Sequence, residues 1–479
     1  MADSLQMKGT GMGKKVSFFG SAFYYTIGVV LAQGTTFITI MVLSRLMSTA
    51  QYGVISIYAT WASIFGVVAG IQAFGAINNA KIDFGKEQVS AFTSASFGLG
   101  LASLLVLLGI LFLFQGFFVS VMHFSFEMIL LCVFQGFFSF CIMHLAQKYR
   151  ILNKPIKFVI WTAIVAILRL VLSVALVVWL KNKQNEFFYY GDIYGSFLAY
   201  ALVGIAAAIV ILVKGKKIFD LKWWKYCFLI CMPFVFSGLA NLVLGQSDRL
   251  MLQWMSTPEQ VGIYSFVYSI GMIATAVWTA FNNAWSVWYF DKTHAGEKLK
   301  IVELFKKYSL FVTLLSVAFI LVAPDVVRIL GGEQYAGGVY IIPLLTLGLY
   351  FLFLYTFPVA YETYKRRTVF IAIGTICAAA LNIVLNLWLV PAYGAFGAAM
   401  SSFISYIMLF IFHFVIAKFV IKGFELSFMQ LLIPALFVIL SVAITYLAMD
   451  IWIVRWLAFG MCLVFSVKVF LKSRHILME

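Results

Sequence analysis

Apolar runs of about 18 residues or more recur along the whole of this 479-residue chain, and nothing else limits its fold so tightly. A run of that length crosses the ~30 Å hydrocarbon core of a bilayer as a helix rising about 1.5 Å per residue. Lipid offers no partner to backbone N–H and C=O groups, so a crossing segment must satisfy them within itself. The short alternating segments of a membrane barrel are absent, which leaves helices. Composition agrees, with 63% of residues hydrophobic and 11% charged, far from the near-even balance of a soluble domain. The expected fold is an all-α polytopic membrane protein.

Windows of about 20 residues place fourteen spans. Their centres lie near residues 30, 65, 103, 136, 168, 203, 237, 273, 317, 350, 379, 406, 440 and 461. Charge tests the count independently. With both termini cytoplasmic, 27 of the 34 Lys and Arg residues fall in inside segments, as the positive-inside rule requires. Lys8, Lys14 and Lys15 precede an apolar stretch much longer than a signal-peptide core, so no cleavable signal is expected. Most of the net charge of +16 therefore fixes topology and does not point to nucleic acid. Arg45, Lys181, Lys183, Arg249, Arg328 and Arg455 fall in outside loops, and Arg169 alone lies inside a span. The six cysteines sit in or beside apolar helices. Cys227 and Cys231, at i and i+4, read as small packing residues and not as a disulfide or metal pair.

The chain also repeats itself. Met47-Ser48-Thr49 matches Met255-Ser256-Thr257, and Gly53 matches Gly262 one inserted residue later. Ala76-Ile77-Asn78-Asn79-Ala80 faces Ala280-Phe281-Asn282-Asn283-Ala284, and Leu168-Arg169-Leu170 parallels Leu381-Asn382-Ile383. The offsets of 208, 204 and 213 residues are nearly constant, and a period of six spans keeps the two copies in the same orientation. Two pseudo-symmetric six-helix lobes are expected, residues 1–225 and 226–425, followed by two further helices in 426–479. A cleft between such lobes suits alternating access.

Three segments carry a family resemblance: SRLMSTAQYGVISIY (Ser44–Tyr58), SDRLMLQWMSTPEQVGIYSFVYSI (Ser247–Ile270) and LNIVLNLWLVPAYGAFGAA (Leu381–Ala399). With them the chain resembles the Wzx-type O-antigen flippases. These form the polysaccharide-transporter branch of the multidrug/oligosaccharidyl-lipid/polysaccharide exporter superfamily. The resemblance implies a non-enzymatic flippase of the bacterial cytoplasmic membrane. Its substrate would be undecaprenyl-diphosphate-linked oligosaccharide for O-antigen, capsule or exopolysaccharide. It further implies coupling to an H+ or Na+ gradient and work beside polysaccharide polymerase machinery. A peptidoglycan-precursor flippase and a cation-coupled multidrug antiporter of the same superfamily are the alternatives.

The residues themselves leave several roles open. Arg169 lies about 18 Å along its helix, where a charge costs about 2.5–3.5 kcal/mol on insertion scales. It either holds the first lobe together or attracts the diphosphate from a cavity. Arg249, with Asp248 beside it, is either an interfacial cap or a phosphate contact at the mouth of the cleft, and Arg45 holds the related place in the first lobe. Asn78 and Asn282, each with a second Asn beside it, are expected at helix ends, capping them or meeting sugar hydroxyls. Asn382 and Asn386 share a face and read as glue between helices. Pro233, within a span, is a candidate hinge. Glu362 reads as part of an interfacial charge cluster, with ion coupling or gating as its other role, as for Asp248. Acidic residues are expected only in loops or near span ends, which argues against a cationic drug. His144 and His413 lie within spans, and packing is the expected role of each. No metal-ligand cluster, P-loop or catalytic constellation is present, so no cofactor is expected and energy must come from an ion gradient or from consumption of product.

Overall fold

The computed structural model describes residues 18–478, and Lys8, Lys14 and Lys15 lie outside them. The described residues form an all-helical bundle. The first lobe comprises α1 (Phe18–Leu46), α2 (Thr49–Ala69), the short α3 (Ala76–Asp83), α4 (Val89–Leu113), α5 (Gln115–Met122), α6 (Phe126–Ile151), α7 (Pro155–Asn182) and α8 (Tyr190–Gly215). The second comprises α9 (Leu221–Met255), α10 (Pro258–His294), α11 (Lys298–Gly331), α12 (Ile342–Leu354), α13 (Thr356–Tyr364) and α14 (Thr368–Val415). Helices α15 (Phe428–Leu447) and α16 (Trp452–Met478) close the chain. Pairing α2 with α3, α4 with α5 and α12 with α13, and dividing α14 at its bend, gives fourteen passes.

The sequence dictates the joints. Ser48 caps α2 in a reciprocal capping box with Gln51, and Pro258 occupies the first turn of α10, where its missing N–H costs nothing. This is the local meaning of the repeated Met-Ser-Thr: a two-residue turn between the first and second helix of each lobe. Gly394 breaks α14 with φ 54° and ψ −131°, a conformation that favours glycine. The Gln260 side chain accepts the Ala395 N–H at 3.0 Å and so caps the second arm. Asp220 caps α9 by accepting the Trp223 N–H at 3.0 Å. Its hydrogen bond from Lys217, followed by that backbone contact, holds its carboxyl below the usual range.

Ile156, Ile160, Ile164, Ile167 and Val171 are exposed at helical spacing along α7, an apolar stripe suited to lipid. The opposite side of that helix packs backbone to backbone on α8. A Cβ built on Gly191 would lie 2.6 Å from Val177 N, and one on Gly195 would lie 2.5 Å from Ser173 N.

The last two helices pack on α11. There the fully buried Arg455 donates to Asp325 Oδ1 at 2.9 Å and to the Leu321 carbonyl at 3.0 Å, so this arginine is not in an open loop. Removing Asp325 strands a buried cation. Asp325→Ala should therefore cost about 3–5 kcal/mol, read as lowered thermal stability in detergent. Arg328→Ala, whose pair with Asp325 is 4.0 Å long and half-exposed, should change little.

Helix α9 touches both lobes. Its first half packs on the first lobe, where Tyr226 OH donates to Asp83 and Trp224 Nε1 donates to the Ala95 carbonyl at 2.8 Å. Its second half packs on α14. Pro233 lies between the two halves.

Candidate functional site

The lobes meet most closely where α1 gives way to α2, the lysine-poor end of the bundle. Gly53 and Gly262, equivalent positions of the repeat, face one another there. A Cβ on Gly53 would lie 2.2 Å from the Pro258 carbonyl, and one on Gly262 would lie 1.8 Å from the Thr49 carbonyl. Repeat-related residues that touch reciprocally lie beside the pseudo-two-fold axis. Polar contacts seal the same end. Arg45 donates to the carbonyls of Ile329 and, at 2.9 Å, of Leu330, the terminal acceptors of α11. Gln334 Nε2 reaches the carbonyls of Ser44 and Met47, and Gln253 and Trp254 reach those of Met122 and Val121. Arg45 is thus occupied as a clasp between lobes and is not free at a mouth.

Arg169 opens onto a cavity of about 200 Å³ between α1, α6, α7 and α8, lined by Thr39, Ser139, Thr162 and Tyr200 among others. Its Nε is buried and accepted by nothing. The buried Asp192 of α8 lies within its electrostatic reach, yet no ion pair joins them, and Asp192 Oδ1 also lacks a partner. Arg249 sits across the lobe interface. Its Nε donates to Ser265 at 3.1 Å and its guanidinium lies 4.8 Å from the centre of the Tyr268 ring. Tyr52 of α2 lies within the electrostatic reach of both arginines.

Asp248 corrects two expectations. It does not neutralise Arg249, and it is not a solvated residue at a span end. It is 1% exposed in the interior of the second lobe. Tyr264 and Ser402 donate to Oδ2, while Asn382 and Asn386 donate to Oδ1 at 3.1 and 2.8 Å. Among the described residues no cation forms an ion pair with it. The asparagine pair does join helices, as expected, but through this carboxylate.

Three other expectations change. Asn282 lies three turns inside α10, not at its end, and its Oδ1 is buried without a partner. Asn78 is exposed on α3, after the chain bends at Gly70–Gln72, so the two copies of the motif differ locally. Glu362 is no interfacial residue. It and His413 are both fully buried, Nδ1 to Oε1 at 2.8 Å. That partner lies 51 residues away on another helix and left no local signal. His144 is packed, its Nε2 2.9 Å from the Thr93 carbonyl, and Cys227 and Cys231 are free, buried thiols.

A family model described as polysaccharide biosynthesis protein matches residues 19–294, more than half of the chain. The chain belongs to that family. An uncharacterized membrane protein of Haemophilus influenzae is 23% identical over 363 residues, 74% of this chain and 85% of that one. Among solved structures, the lipid II flippase MurJ in an inward closed conformation matches with a TM-score of 0.69. It is 16% identical and is covered to 99%, over 95% of this chain. A multidrug-resistance MATE transporter of the MOP superfamily, in an inward-facing conformation, matches with 0.54 at 15% identity, over 84% of this chain and 94% of its own. A MOP transporter of Pyrococcus furiosus gives 0.52 at 15%, over 87% and 100%. These likenesses establish the fold. This member of the polysaccharide biosynthesis family is a multi-pass membrane protein of the MOP transporter architecture, as the resemblance in its sequence implied.

Proposed function

We propose that the protein flips undecaprenyl-diphosphate-linked oligosaccharide from the cytoplasmic to the outer leaflet by alternating access. The observation that carries this reading is the polarity of its interior. The cation that opens onto a cavity is Arg169, with Arg249 across the interface, which suits a phosphate-bearing substrate. With the lysine-rich end cytoplasmic, the Gly53–Gly262 contact closes the outer side. A peptidoglycan-precursor lipid is the second reading, favoured by the extent of the likeness to MurJ; it presents the same diphosphate. Reconstitution tests both. Fluorescent lipid-diphosphate glycans should reach the outer leaflet only in liposomes holding the protein, and the glycan transported separates the two. No movement of either would end this reading.

Asp248 is the candidate for ion coupling. Its buried carboxyl group accepts from the amides of Asn382 and Asn386 and from the hydroxyls of Ser402 and Tyr264, and Asn386 Oδ1 lies buried without a partner beside it. A buried carboxyl group held in this way suits a proton, or Na+ once the amides turn their oxygens inward. Asp248→Asn should abolish the dependence of flipping on a Na+ or pH gradient while leaving the folded protein in the membrane. Retained gradient dependence would place coupling elsewhere.

A further inference from the structure

The first lobe holds two opposite charges that do not meet. Arg169 and Ser173 are one turn apart on α7, about 6 Å along the axis, and Ser173 Oγ donates to the Asp192 carbonyl at 3.4 Å. That bond holds the Asp192 backbone beside Ser173, and the Asp192 carboxyl lies within the electrostatic reach of Arg169. At Gly191 and Gly195 the backbone of α8 packs directly on that of α7, so the long arginine side chain is the part of this arrangement with the most freedom. Arg169 Nε and Asp192 Oδ1 are both buried without a partner, a costly condition for groups that could satisfy one another. The cavity that Arg169 borders, about 200 Å³, falls below the roughly 300–1,000 Å³ that encloses drug-sized ligands. It can seat a compact anion but not an oligosaccharide.

We propose that Asp192 competes with the substrate's diphosphate for Arg169, taking the guanidinium as the anion leaves and yielding it as the anion enters. The proposal rests on Arg169 as the anion site. Asp192 is a positioning residue: it sets how readily Arg169 is available, and so limits affinity in favour of release.

The test uses the full-length protein in nanodiscs, with inorganic pyrophosphate and undecaprenyl diphosphate as probes. Asp192→Asn keeps the shape and removes the competitor. It should tighten pyrophosphate binding about tenfold and, in liposomes, lower both KM and maximal rate. Unchanged or weaker binding would overturn the proposal. So would equal tightening in an Arg169→Gln background, which would show a carboxylate that merely repels anions. If Asp192→Asn does not fold, Asp192→Glu decides: its longer reach should weaken binding severalfold, and unchanged binding would count against the exchange. The same effects with undecaprenyl diphosphate identify a lipid headgroup as the ligand, and effects with pyrophosphate alone identify a free anion. Wild-type binding in Arg169→Gln alone would remove the Arg169 reading itself, an outcome separate from the failure of Asp192.

Discussion

Replacing Arg169 with Ala should lower flipping by about 10–100-fold at equal protein abundance. That range corresponds to the roughly 1.5–3 kcal/mol contributed by a hydrogen bond to a charged group. The guanidinium is directed to a cavity and its Nε is bonded to nothing, so its removal breaks no hydrogen bond of that atom. Arg249→Ala should cost less, because Ser265 and Tyr268 already engage that side chain. Arg169→Lys separates two kinds of recognition: a point-charge contact survives it, whereas a bidentate phosphate clamp does not. The measurement is initial flipping rate in liposomes at matched protein density. A wild-type rate in Arg169→Ala would reduce the residue to scaffolding, and loss of folded protein would assign it to the lobe's structure.

The second large effect is expected at Gly262. A Cβ there would stand 1.8 Å from the Thr49 carbonyl, and backbone on both sides leaves nothing flexible to yield. Gly262→Val should disfavour closure of the lysine-poor end by about 3 kcal/mol, the upper part of the usual overpacking range, shifting the equilibrium about 100-fold toward separation. Cysteines placed at Met47 and Gln334 on a cysteine-free background report this, since Gln334 bonds the Met47 carbonyl in the closed arrangement. Cross-linking should be efficient in the parent and nearly absent with Gly262→Val. Gly109→Ala, with nothing within 4 Å of its added Cβ, should leave it unchanged. Efficient cross-linking in Gly262→Val would mean that the helices close by another path.

The spans were legible because lipid imposes one rule on every crossing segment, and the repeat was legible because duplication leaves a constant offset. Local motifs carried less. Met-Ser-Thr and Gly53/Gly262 revealed equivalence but not that the two glycines touch, since reciprocal contact depends on where the axis passes. Asp248 looked interfacial because its position along α9 is near one end. Its burial is decided by Asn382, Asn386 and Ser402, more than 130 residues on. Glu362 and His413 escaped for the same reason, as did Asp192, whose significance comes from an arginine on the neighbouring helix. The asparagines at i and i+4 in the eleventh span were the usable signal, because paired amides inside a membrane helix require a polar partner somewhere in the bundle.

Helix α9 has its foot on the first lobe at Asp83 and its head in the second at Asp248. About 33 Å separate the two along its axis. It therefore acts as a connecting rod through the whole thickness of the bilayer. Parting the lobes at Gly53 and Gly262 must either flex this rod at Pro233, where the Leu229 carbonyl has lost its helical donor, or lift its foot from Asp83. A change in what the Asp248 carboxylate binds consequently has a mechanical route to the opposite membrane face. No soluble domain and no nucleotide are needed to carry it.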